Sequence, residues 1–224
     1  MHRSRGNDLI ADGERPVDYD EHAPTVDEDE RVTAMTAADN MPHRPPFTVD
    51  DLIGFPNDGV RYELFDGSLL VSPSPMPIHQ IVAMHLQVIL YQVTPEGLVA
   101  ISTPNLKVDE ENLFIPDFAV LRAKAASANN LMFRPADVLL AVEIVSHSTR
   151  KRDRILKLGA YAEAGIPHYW RVEPEEGPTL YAYDLDDGDT YRLAQVAPAG
   201  KETELTRPFP ITVDPVTWTY PGRP

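Results

Sequence analysis

Leu139-Leu-Ala-Val-Glu-Ile-Val145 decides how this chain is read. Six of these seven residues are aliphatic. That is the length and chemistry of a strand buried on both faces, as in the middle of a sheet. Glu143 breaks the pattern. A carboxylate among aliphatic neighbours is costly unless it is paired, bound to a metal or used in chemistry.

Working outward, Ser148 or Thr149 can cap a helix from Arg150 to Ala164, which Gly165 ends. Arg150, Asp153, Arg154, Lys157 and Tyr161 form one stripe of it, with Leu156, Leu158, Ala160 and Ala162 expected as its core contacts. His168 to Val172 reads as the next strand. Leu180 to Tyr183 and Thr190 to Val196 read as two more, around an acidic turn. Tyr169, Trp170, Tyr181, Tyr183 and Tyr191 suit sheet packing better than base stacking.

Upstream, Ile115 to Leu121 reads as a strand, with Pro116 at its start and Asp117 beside it. Leu98 to Ser102 and Leu106 to Val108 are further strands. Residues 123–135 read as a helical or irregular excursion. Ile78 to Val93 has helical spacing, and Thr48 can cap a short helix over Val49 to Gly54. Arg61 to Phe65 and Ser68 to Ser72 flank Asp66-Gly67, a strong two-residue hairpin signal. The expected fold is α/β, a single domain over residues 46–224 with a mixed sheet and helices against it. Residues 1–45 carry no apolar periodicity and are expected to be a disordered acidic tail.

The 224 residues carry a net charge of −15. Residues 1–40 hold 11 acidic and 4 basic side chains, a net −7, which leaves −8 for the remaining 184. That balance disfavours loose binding to nucleic acid but allows a local basic site. Of the 16 Lys and Arg after residue 40, five fall between Arg150 and Lys157. There are no cysteines, which excludes disulfides and cysteine-based zinc sites and fits a reducing cytoplasm. The longest purely apolar run, Val138 to Val142, is too short to span a membrane. A cytoplasmic protein is expected.

Asp117, Glu143 and Lys157 together suggest metal-dependent phosphodiester cleavage. Two carboxylates on neighbouring strands, with a strand carbonyl such as that of Ile144, leave positions open for water and a phosphate oxygen on Mg²⁺. A nearby lysine can orient the water and stabilise developing negative charge. Lys157→Ala is therefore expected to abolish cleavage while sparing the fold. Arg150, Lys151, Arg152 and Arg154 are candidate phosphate contacts, and Ser146 and Ser148 suit helix capping or phosphate contact. A serine hydrolase is set aside for want of a G-x-S-x-G elbow. His79 and His85 stand six apart on one helix and do not form a metal pair. The turn Asp184 to Asp189 lacks the glycine and glutamate placement of a calcium loop.

These residues resemble a known family. Arg61-Tyr-Glu-Leu-Phe-Asp-Gly67, Pro116-Asp117, Glu143-Ile-Val-Ser-His-Ser-Thr149, Asp153, Lys157, Tyr161 and Gly165-Ile-Pro-His-Tyr-Trp170 look like the Uma2 (DUF820) family of the restriction-endonuclease-like PD-(D/E)XK superfamily. The resemblance covers about residues 47 to 195. It implies a restriction-endonuclease-like core and a Mg²⁺-dependent endonuclease, with Mn²⁺ as a substitute and Asp117 and Glu143 as metal ligands. The superfamily's usual lysine position holds Val145; the Uma2 pattern places the lysine on the next helix, where Lys157 stands. His147 replaces a proline common in the family. Glu63, in the first motif, is either an additional carboxylate of the metal site or a strand glutamate that pairs with Arg61 or faces solvent. DNA is the expected substrate, RNA the enzymatic alternative, and a non-catalytic binding module on the same fold the rival. A homodimer would suit cleavage of both strands, though no residue singles out its interface.

Overall fold

A computed structural model describes residues 45–219, apart from 56–59, 73, 127–128, 147–149, 151 and 176, and without the side chains of 152 and 153. The expected tail thus lies outside the described residues, Pro45 excepted. So do His147, Ser148, Thr149 and Lys151, with the side chain of Arg152.

Among the described residues, three α-helices and thirteen strands follow in order: α1 (Val49–Ile53), β1 (Arg61–Phe65), β2 (Ser68–Ser72), α2 (Pro77–Val93), β3 (Leu98–Ser102), β4 (Asn105–Lys107), β5 (Leu113–Phe114), β6 (Phe118–Arg122), β7 (Met132–Phe133), β8 (Val138–Ile144), α3 (Lys157–Glu163), β9 (His168–Glu173), β10 (Thr179–Leu185), β11 (Tyr191–Pro198), β12 (Thr203–Leu205) and β13 (Ile211–Val213). The main sheet has the order β11-β10-β9-β8-β6-β3, and β8–β9 is its parallel pair. A second sheet runs β2-β1-β5-β4-β7, and β12 pairs with β13. The deciding stretch is indeed central: β8 lies between β6 and β9 and is buried along almost its whole length.

Alternation along β8 divides the core in two. Leu140, Val142 and Ile144 pack with Val82, Leu86 and Leu90 of α2 and with Leu205, Ile211 and Trp218. Val138 and Ala141 face the other way, toward Leu106 and Phe114 of the second sheet and Tyr161 of α3. Each face of the main sheet is thereby covered, as a continuous aliphatic strand requires.

The β1–β2 hairpin turns at Asp66 (φ 47°) and Gly67 (φ 66°), both in the left-handed region that a two-residue hairpin needs. Gly67 also closes onto the start of the domain. Its carbonyl accepts from Phe47 N–H at 2.7 Å, and its N–H donates to the Glu111 carbonyl at 3.0 Å. A Cβ here would lie 2.4 Å from Pro46 Cβ. Gly67→Ala is expected to cost about 3 kcal/mol, from the left-handed conformation and the clash together, read as a lower midpoint in urea.

Two expectations are corrected. The run Ile115 to Leu121 is not one strand: β5 ends at Phe114 and β6 begins at Phe118. Pro116 has no N–H for a ladder, and the chain switches sheets across Ile115–Asp117. The helix after β8 is not α-helical throughout. Residues Arg152–Leu156 form a π-helical turn, and the α-helix begins at Lys157. Its buried residues are Lys157, Tyr161 and Ala162, while Leu156, Leu158 and Ala160 are half-buried. Strands β12 and β13, too short to show alternation, complete the α2-side core.

Candidate active site

The β6–β8 ladder ends at the pair Phe118↔Val142, so the next pair outward sets Asp117 opposite Glu143. There the ladder bond is made by a side chain: Ile144 N–H donates to Asp117 Oδ2 at 2.8 Å. A strand residue's N–H and C=O point to the same side. The Ile144 carbonyl therefore faces Asp117, while the next amide, Val145 N–H, donates to Val172 on the opposite side at 2.8 Å.

Asp117 is buried and takes two further donors. His79 Nε2, from the first turn of α2, lies 3.2 Å from Oδ2, and Arg61 Nη1, at the start of β1, lies 3.5 Å from Oδ1. Burial pushes the Asp117 carboxyl pKa up. The His79 hydrogen bond and charge, the Ile144 amide and the Lys157 charge outweigh that and hold it below the usual value. Asp117 is thus ionised at neutral pH.

Glu143, Glu63 and Lys157 form a buried cluster, each with a side chain at most 4% exposed. Lys157 Nζ is 2.8 Å from Glu143 Oε1 and 2.9 Å from Glu63 Oε1. Glu63 Oε1 also accepts from Ile115 N–H at 2.8 Å, which ties β1 to the segment that carries Asp117. Tyr161, one turn after Lys157, donates to Glu143 Oε1 at 2.7 Å. Burial raises the Tyr161 pKa well above its ordinary value, and the charges of Glu143 and Glu63 add to the shift. The hydroxyl therefore stays a donor. Tyr161→Phe is expected to cost about 1.5–3 kcal/mol, since it removes a hydrogen bond to a buried carboxylate. Equilibrium denaturation of the variant checks this.

The expected residues Asp117, Glu143, Lys157, Glu63 and Ile144 thus meet at one place. The two described arginines among the candidate phosphate contacts do not join them. Arg150 Nη2 pairs with Glu175 at 2.9 Å, and Arg154 pairs with Glu173 through two hydrogen bonds, Nε to Oε1 at 3.0 Å. Ser146 is half-buried just beyond β8. Sequence reasoning missed the roles of His79, Arg61 and Tyr161. The partner of His79 lies 38 residues away, beyond any local spacing. Arg61 opens the first motif, and Tyr161 stands on the same stripe as Lys157, but the stripe does not show that its hydroxyl meets Glu143.

A cleft of about 270 Å³ opens on Asp117. Arg61, His79, Ser102 and Thr103 line it, together with residues of α2. Thr103 has φ 49°, a rare conformation for a β-branched residue, and its N–H donates to the Asp117 carbonyl at 2.9 Å.

The donor set suits a hard divalent cation. Asp117 and Glu143 offer carboxylate oxygens, the Ile144 carbonyl is turned toward Asp117, and the bonds of Asp117 to His79 and Arg61 are its longer ones. Among the described residues no group of three or more His, Asp or Glu side chains could hold a metal by itself. Such a pair of carboxylates suits Mg²⁺, which keeps several waters and substrate oxygens, better than a protein-only cage.

The model of the Uma2 family, described as "Putative restriction endonuclease", matches residues 49–217. Among solved structures, one from Anabaena variabilis described as "a putative nuclease belonging to DUF820" is similar to this chain with a TM-score of 0.62 and 16% identity. The match covers 77% of this chain and 99% of that one. No curated protein matches. Among the described residues no helix is long and apolar enough to cross a membrane.

Proposed function

The chain belongs to the Uma2 family, and from that premise we propose that it is a divalent-metal-dependent endonuclease that hydrolyses phosphodiester bonds in DNA. The observation that carries the reading is the buried Lys157, held by Glu143 and Glu63 next to Asp117. A lysine ion-paired in this way is a fixed positive charge beside two candidate metal ligands.

Asp117, Glu143 and the Ile144 carbonyl would hold Mg²⁺ or Mn²⁺. When bound, the ion would activate water and offset charge on the phosphoryl oxygens. The protein's own groups do the rest. Glu63 anchors Lys157 and is itself anchored by the Ile115 amide. Lys157 orients the attacking water and stabilises charge as the phosphate is attacked. Tyr161 holds Glu143 in place through its hydroxyl. A preset arrangement of this kind lowers the reorganisation needed during reaction.

The test is a cleavage assay on duplex DNA, single-stranded DNA and RNA, with Mg²⁺, Mn²⁺ or a chelator. Duplex cleavage that needs the metal and is lost in Asp117→Asn is expected. Equal cleavage by Asp117→Asn, or in chelator, would sink the proposal, and cleavage of RNA alone would replace the substrate.

A further inference from the structure

We propose that Arg61 and His79 form the seat for one phosphodiester group of the substrate strand, at the place where the cleft meets Asp117. The inference rests on the nuclease reading and names the residues by which that site holds its substrate.

The basic run between Arg150 and Lys157 was the obvious place for such contacts. Of its described side chains, Arg150 and Arg154 are bound to Glu175 and Glu173, and Lys157 is buried between two glutamates. The cleft has its own donors instead. Arg61 and His79 both line it, and both reach the same carboxylate.

Their geometry suits an oxyanion. The Arg61 side chain is 40% exposed, and its bond to Asp117, at 3.5 Å, is at the far limit of hydrogen bonding. A guanidinium presents five donors in a planar fork that matches two oxygens of a phosphate. His79 is 12% exposed, with Nε2 at 3.2 Å from Asp117. Both donors therefore converge on a single acceptor that the proposed chemistry gives to a divalent cation. With Asp117 so engaged, the two donors lack their oxyanion, and a phosphate entering the cleft supplies one. The exchange gives the two donors an oxyanion in place of the one the cation takes.

The backbone holds the seat in place. Arg61 opens β1, two residues before Glu63, whose carboxylate is bound to the Ile115 amide. His79 is in the first turn of α2, whose buried residues Val82 and Leu86 anchor it on the main sheet.

The test measures binding rather than cleavage. Fluorescence anisotropy follows a labelled oligonucleotide, single-stranded and duplex, with Ca²⁺ in place of Mg²⁺, over a salt series. The logarithm of affinity falls with the logarithm of salt by about 0.7 (single strand) to 0.9 (duplex) for each phosphate neutralised. Arg61→Ala is expected to lower that slope by about one such step and to weaken binding about tenfold. Arg61→Lys should keep the slope while losing part of the affinity, because a point charge replaces the fork. Arg154→Ala should keep both. Added inorganic phosphate should compete weakly with the oligonucleotide; competition as strong as the oligonucleotide's own binding would point to a free-phosphate site and overturn the seat. A wild-type slope in a folded Arg61→Ala protein would overturn the seat alone. A wild-type protein that binds no oligonucleotide would overturn the seat and the nuclease reading together.

Discussion

Replacing Lys157 with alanine is expected to destabilise the fold by about 3–5 kcal/mol as well as to abolish cleavage. The sequence suggested a variant that spares the fold, because a lysine on a basic helix is usually solvated. Its burial reverses that expectation. Lys157 is 3% exposed and touches Glu63, 2% exposed, and Glu143, 4% exposed. Removal of the ammonium leaves two carboxylates in a low-dielectric place with their shared counter-ion gone. Glu63→Gln combined with Lys157→Met should recover part of the loss, since a neutral amide replaces one of the stranded charges. Urea denaturation of the three proteins checks the argument. A Lys157→Ala protein as stable as the wild type would show that the cluster does not depend on that charge.

The second large effect belongs to Asp117→Asn. Cleavage is expected to fall about 10³-fold or more, and Mn²⁺ binding by calorimetry should weaken with it. The fold should survive. An asparagine oxygen can still accept from Ile144 N–H, the shortest hydrogen bond that Asp117 makes. The loss should depend on pH with a definite sign. Asp117 has its pKa held below the ordinary value, so the stability it contributes is present above the unfolded value of about 3.9 and lost as pH falls through the lower folded value. Wild type and Asp117→Asn should therefore converge in stability in strong acid and differ near neutrality. A difference that grows in acid would contradict the assignment. Because this variant keeps the buried Lys157 cluster intact, it separates chemistry from folding more cleanly than Lys157→Ala does.

Much of this site could be read in the sequence, for a physical reason. A charge in an aliphatic strand needs an explanation wherever it lies, so Glu143 stood out without any knowledge of its neighbours. The β1–β2 hairpin could be read because Asp66-Gly67 selects its turn locally, and its strands have the expected bounds. What stayed hidden depends on distant partners. His79 and Asp117 are 38 residues apart, and Arg154 and Glu173 are 19 apart. Nothing local says that one arginine will be neutralised and the other left at a cleft. The π-helical turn before Lys157 was hidden too, because it adds a residue to a turn without changing composition.

The division of the core into two faces has an optical consequence. The chain has two tryptophans, Trp170 and Trp218, and both belong to the cluster on the α2 side. The opposite cluster holds Tyr161 and Tyr169, with Tyr183 and Tyr191 packed against it and ring centroids 5.8 Å apart at Tyr161–Tyr169, Tyr169–Tyr183 and Tyr169–Tyr191. Indole emission therefore watches the face away from the Lys157 cluster, and tyrosine ellipticity in the near ultraviolet watches the face that contains it. Ordinary tryptophan fluorescence would be nearly blind to a loosening confined to the Lys157 cluster, and the two colours together would tell local from global loss of structure.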